Sequence, residues 1–80
     1  MIVPFREEDA YVGMLLVYNN TSIYKITKVK GNSADLISFG FLIDGRIDEH
    51  DDKMILNGIL LNCFNQAYIP GVKMKWGIDM

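Results

Sequence analysis

The sequence predicts a mainly β domain: a small antiparallel barrel of five strands, partly open, with one short helix near residues 53–64. Three observations carry that expectation. Turn-forming pairs at Asn19-Asn20, Gly31-Asn32 and Asp44-Gly45 fall at nearly even spacing, and such pairs tolerate the positive φ of tight hairpins. The segments between them are dominated by Val, Ile, Leu, Tyr and Phe, which suit a pleated, half-buried surface. Half of the 80 residues are hydrophobic, enough for a core and too many for a disordered chain.

The chain reads as a single domain over 1–80, with an N-terminal arm (1–10) and the barrel with its helix (11–80). In the arm, Ile2, Val3 and Phe5 are expected to pack on the body. Pro4 bars a central strand there, because it cannot donate to a ladder. Glu7, Glu8 and Asp9 favour a brief helical turn.

Tyr11–Tyr18 is the first expected strand, with Val12, Met14, Leu16 and Tyr18 on one face and Tyr11, Leu15 and Val17 on the other. Apolar residues on both faces suit a central position in a curled sheet, or an interface. Ser22–Lys30 is the second. Its imperfect alternation calls for a bulge between Ile26 and Val29, and simple alternation sets Lys28 and Lys30 on the face of Tyr24. Ser33–Ile43 is the third, with a kink at Gly40, and Arg46–Glu49 is a short return anchored by Ile47. Past the turn pair Pro70-Gly71, Val72, Met74, Trp76 and Ile78 alternate with Lys73, Lys75 and Asp79. That pattern describes a closing strand with one buried and one wet face.

The segment Met54–Phe64 has a different period. Ile55, Leu56, Ile59, Leu60, Cys63 and Phe64 recur at steps of three and four, which fits a helix lying on the barrel, with Asp51 or Asp52 as its N-cap. A hairpin at Asn57-Gly58 is the rival reading. The helical reading puts Cys63 in the core.

Net charge is −2 but unevenly distributed. From Ala10 to Ala34 the only charges are Lys25, Lys28 and Lys30, whereas Asp44, Asp48, Glu49, Asp51 and Asp52 crowd a short stretch around Arg46. A dipolar molecule is expected. One cysteine excludes an internal disulfide and a thiolate zinc cluster. The acidic N-terminus does not resemble a leader, and no apolar run approaches spanning length, so a cytoplasmic protein without a membrane partner is expected.

The runs Val12 to Val17, Tyr24 to Asn32 and Ala34 to Leu36 together resemble the opening meander of SH3-like and Tudor-type barrels, over about residues 12–43. That resemblance implies an SH3-like barrel; the aromatic cage of Tudor domains has no assignable counterpart. In size, composition and lack of cofactor motifs the chain also resembles small accessory proteins of bacteriophages and mobile elements. This second resemblance implies inhibition or redirection of a host factor.

No catalytic arrangement is legible. His50 and Cys63 are the sole members of their types, and the carboxylates have no apolar setting to raise one pKa. No glycine-rich phosphate loop is present, and consecutive residues around His50 rarely converge on one ion. No enzyme, cofactor or metal is therefore expected. The favoured function is a protein-interaction module that uses Tyr24, Tyr68, Asp48, Glu49, Asp51 and Asp52. A homodimer through an open strand edge or the Met54–Phe64 segment is one version of it. The alternative is a nucleic-acid surface built from Lys25, Lys28, Lys30, Lys73 and Lys75, with Tyr24 for base stacking; the acidic overall charge weighs against it.

Overall fold

Residues 1–70, which the computed structural model describes, form seven antiparallel strands in one open sheet. They are β1 (Ile2–Pro4), β2 (Leu15–Tyr18), β3 (Ser22–Lys30), β4 (Ser33–Ile43), β5 (Arg46–Glu49), β6 (Ile55–Leu60) and β7 (Gln66–Tyr68). Their order is β1-β7-β2-β3-β4-β5, and β6 pairs with the first half of β4. The mainly β class is thus observed. Seven strands in an open sheet replace the expected five, and the expected closing strand lies outside the described residues.

The three turn pairs perform as their chemistry dictates. Asn19 and Asn20 stand at φ 54° and 61°, and Asp44 at 52°, values that Asn and Asp tolerate better than most residues. They set the registers Tyr18↔Ser22, Lys30↔Ser33 and Ile43↔Arg46. The first strand is shorter than expected. The Met14 N–H turns back to the Tyr11 carbonyl at 3.1 Å, so Tyr11 and Val12 leave the ladder and are exposed. The arm is itself a strand: β1 takes the sheet edge beside β7, where Pro4 is tolerated, and Phe5 is buried. Glu7–Asp9 form the expected brief turn, a single 3₁₀ turn.

The expected helix near residues 53–64 is absent, and so is the rival hairpin. Ile55–Leu60 is one strand interrupted by a bulge, and only Leu61–Cys63 coils, as a 3₁₀ turn. The reason lies in the register. Leu56 pairs with Leu36 and Ile59 with Ala34, with a shift between them. A bulge inserts one residue and reverses the pleat, so two residues three apart both face the core. That mimics a helical step in the sequence. Gly58 occupies φ +65° at the bulge, which glycine adopts without strain, and its N–H donates to Asp35 Oδ1 at 3.0 Å. Asp51 and Asp52 consequently cap no helix. Cys63 is exposed, not core: the 3₁₀ turn buries Leu61 in its place.

The bulge expected in the second strand is present, between Ile26 and Lys28. It carries a consequence for the lysines. Ile26 faces the core opposite Leu36, whereas Lys28 and Lys30 stand opposite Asp35 and Ser33, on the other side of the sheet. They share a face with Lys25 and not with Tyr24, which corrects the simple alternation. A second irregularity, between Ile23 and Tyr24, brings Gly40 opposite Ile23 and also opposite Glu49 of β5. A Cβ on Gly40 would sit 2.9 Å from both the Asp48 carbonyl carbon and the Glu49 Cα, and closer still to the Asp48 carbonyl oxygen. Close backbone approach is therefore what glycine supplies there.

The core lies on one face of the sheet and is formed by Phe5, Met14, Leu16, Ile26, Ala34, Leu36, Leu61, Phe64 and Ala67. Val17 and Ile23, paired with each other, are buried on the opposite face. The sheet curls there: the Tyr68 hydroxyl, on that same side, donates to the Gly45 carbonyl of the β4–β5 turn at 3.4 Å. Among the described residues no helix is long and apolar enough to cross a membrane.

Candidate functional site

β5 runs along the second half of β4 and β6 along its first half, so the chain must cross between them along one edge of β4. Residues 50–54 make that crossing, and β4 holds them at both ends. The His50 N–H donates to the Phe39 carbonyl at 2.8 Å; the Met54 N–H donates to Ser38 Oγ, and the Ser38 N–H to the Met54 carbonyl, each at 2.8 Å. Lys53 folds back on the loop. Its ammonium donates to the His50 carbonyl, pairs with Glu49 at 2.9 Å, and sits 5.4 Å from the centre of the Phe39 ring. The loop is thereby tethered along its length before any partner arrives, which lowers the ordering cost of binding.

Against this loop lies an open groove of about 590 Å³. β3 contributes Ser22 and Tyr24, β4 contributes Ser38 and Phe41, and the loop contributes all of residues 50–54, Lys53 among them. Phe41 and Met54 are exposed, and the Phe41 ring meets the His50 ring edge-on at 4.7 Å. Asp51 and Asp52 are exposed and take part in none of the ion pairs of the described residues. The one lysine of the loop is already engaged. What remains is a groove with two uncompensated carboxylates, the hydroxyls of Ser22, Tyr24 and Ser38, and aromatic rings. Such a lining suits a cationic side chain with an apolar stem, which carboxylate and ring faces attract together.

The residues expected from the sequence divide between this groove and other places. Tyr24, Asp51 and Asp52 come together in it. Tyr24 also borders an apolar cleft of about 230 Å³ with Tyr18, Leu36 and Phe64, and its ring meets the Phe64 ring edge-on at 6.0 Å. Glu49 is held by Lys53, and Asp48 stands on β5 opposite Phe41. Tyr68 belongs to the opposite side of the sheet, hydrogen-bonded to the β4–β5 turn.

The lysines are partly engaged. Lys30 pairs with Asp35 at 2.7 Å, and the Lys25 ammonium lies 5.8 Å from the Phe39 ring centre. Lys28 stands opposite Asp35, while Lys73 and Lys75 lie outside the described residues. The hydrogen bond from Lys30 and that from the Gly58 N–H hold the Asp35 carboxyl below its ordinary value, against a smaller opposing effect of burial. Among the described residues no three His, Cys, Asp or Glu side chains gather to hold a metal ion.

Ser38, Phe41 and Met54 were not legible as site residues. Ser38 and Met54 are 16 positions apart and meet only because the loop returns to β4. For Phe41 a faint signal exists in its neighbour Gly40, where the backbones of β4 and β5 approach closely. Searches of protein-family models, curated proteins and solved structures find no match to this chain.

Proposed function

We propose that the protein is a non-enzymatic interaction module that captures a basic segment of another protein in the groove beside the acidic loop. One observation carries this reading: Asp51 and Asp52 stand uncompensated beside exposed aromatic and apolar side chains on a loop already tied to β4. Aromatic contact area supplies the affinity, and the two carboxylates orient the partner and speed its approach. In this reading the curled sheet is a scaffold of the small SH3-like kind, and the partner is a host factor that the module inhibits or redirects. The one lysine lining the groove, Lys53, is paired with Glu49, and Lys25, Lys28 and Lys30 do not line it, which favours a protein partner over a nucleic acid.

The test is affinity capture from the source cell, with the wild type and the double variant Asp51→Lys/Asp52→Lys as parallel baits. A protein retained by the wild type, lost from the variant and released by raised salt supports the reading. Identical retention by both baits overturns it. So does binding of labelled oligonucleotides whose affinity falls steeply with salt and is abolished by Lys28→Glu.

A further inference from the structure

On the core side of the sheet, the acidic groove and the apolar cleft share a wall. Leu36, Leu56 and Ile59 line the cleft, of about 230 Å³, with aliphatic surface. The rings of Tyr18 and Tyr24 both meet the Phe64 ring edge-on, at 5.9 and 6.0 Å between centres, a favoured geometry that holds the aromatic walls in place. Among the described residues no charged side chain lines it. Tyr24 borders both hollows. Two register pairs cross the boundary beside it: Tyr18 of the cleft stands opposite Ser22 of the groove, and Tyr24 opposite Ser38. Cross-strand partners project to one face. Leu36 and Ser38, alternate residues of β4, share that face, the first in the cleft and the second in the groove.

We propose that one extended segment of a partner protein occupies both hollows at once, with an Arg or Lys beside Asp51 and Asp52 and a bulky apolar side chain in the cleft. This rests on the reading of the groove as a binder of basic segments, and it names the second feature that the partner must carry.

Size, spacing and charge select this occupant. A cavity of about 150 Å³ holds benzene, so the 230 Å³ of the cleft admits one aromatic or branched aliphatic side chain. Pockets for free organic ligands run from about 300 to 1,000 Å³. A side chain delivered on a bound segment is the better match, because the groove contact raises its effective concentration at the cleft. Alternate side chains of an extended segment project to one side about 7 Å apart. The step from Ser38 to Leu36 along β4 is the same. The uncompensated Asp51 and Asp52 favour a cation at the groove end, whereas the apolar lining of the cleft would desolvate a charge without pairing it.

A random-peptide display library, selected on the immobilised full-length protein, tests the arrangement. Enriched peptides are expected to pair Arg or Lys with a bulky apolar residue two positions away. The strongest of them is then synthesised with a fluorophore and titrated by anisotropy. Cys63 lines the cleft and is exposed, so Cys63→Trp fills the hollow without disturbing the core, and Cys63→Ser is the control of unchanged size. With circular dichroism unchanged, Cys63→Trp should weaken binding about 10- to 100-fold, the worth of burying one such side chain, and Cys63→Ser should not. Replacing the apolar anchor of the peptide by Ala should cost the wild type the same factor and cost Cys63→Trp nothing further, which ties anchor to cleft. Asp51→Lys/Asp52→Lys should weaken the same peptide through its basic residue. Peptides that depend on Asp51 and Asp52 but tolerate both loss of the anchor and Cys63→Trp overturn this inference and leave the groove reading standing. Peptides that need the anchor and the open cleft but tolerate Asp51→Lys/Asp52→Lys overturn the groove reading, and the joint site with it. A selection that enriches no peptide overturns both.

Discussion

Gly40→Ala tests the packing that sets the acidic loop in place. The added methyl would lie 2.9 Å from two backbone atoms of β5, and nearer to the Asp48 carbonyl oxygen. No side-chain rotation relieves a clash with backbone, so β4 and β5 must separate by several tenths of an ångström. Overpacking of this kind costs about 1–3 kcal/mol. A second route gives a similar figure: opening the Gly40↔Glu49 end of the ladder forfeits one or two hydrogen bonds of net value about 1 kcal/mol each. At a urea m-value of roughly 1–2 kcal/mol per molar, a loss near the middle of that range lowers the unfolding midpoint by about 1–2 M. The comparison is Gly58→Ala, where nothing lies within 4 Å and the burden is the positive φ alone, about 1 kcal/mol. Urea titration followed by circular dichroism measures both. A Gly40→Ala midpoint equal to wild type, or a smaller drop than Gly58→Ala produces, refutes the claim that close approach of β5 demands glycine.

Other consequences follow from the bulge and the turn beside it. Asp35 holds the β6 bulge through the Gly58 N–H and is itself held by Lys30. Its folded pKa lies below the unfolded value, so its contribution is complete above the ordinary carboxylate range and is lost as pH falls through the folded pKa. Asp35→Asn should therefore be less stable than wild type at neutral pH, and the gap should close in acid. Urea midpoints across that range and exchange of the Gly58 amide measure it; a gap independent of pH counts against the ion pair. Cys63 is exposed, so a thiol reagent should modify it in the native protein as fast as it modifies a small free thiol. Modification that waits for global unfolding would restore Cys63 to the core.

Elements whose causes are local could be read from the residues alone. Asn19-Asn20, Gly31-Asn32 and Asp44-Gly45 permit turns that few other pairs accept, so β3, β4 and β5 were legible to the residue, and the irregular pattern of Ser22–Lys30 announced its bulge. The exposure of Asp51 and Asp52 was legible for the same reason, since charge is a property of single residues, whereas Tyr24, expected at the surface, is half-buried against the core. Features that depend on partners distant in the chain emerged only from the folded sheet. The step from Leu56 to Ile59 reads as helix until Leu36 and Ala34 are set opposite and the bulge between them appears. The face that Lys28 and Lys30 occupy changed because one bulge reverses a pleat. The groove exists because Ser38 and Met54, far apart in sequence, satisfy each other's polar groups. A backbone donor must find an acceptor wherever the fold offers one, and that choice is made across the sheet, not along the chain.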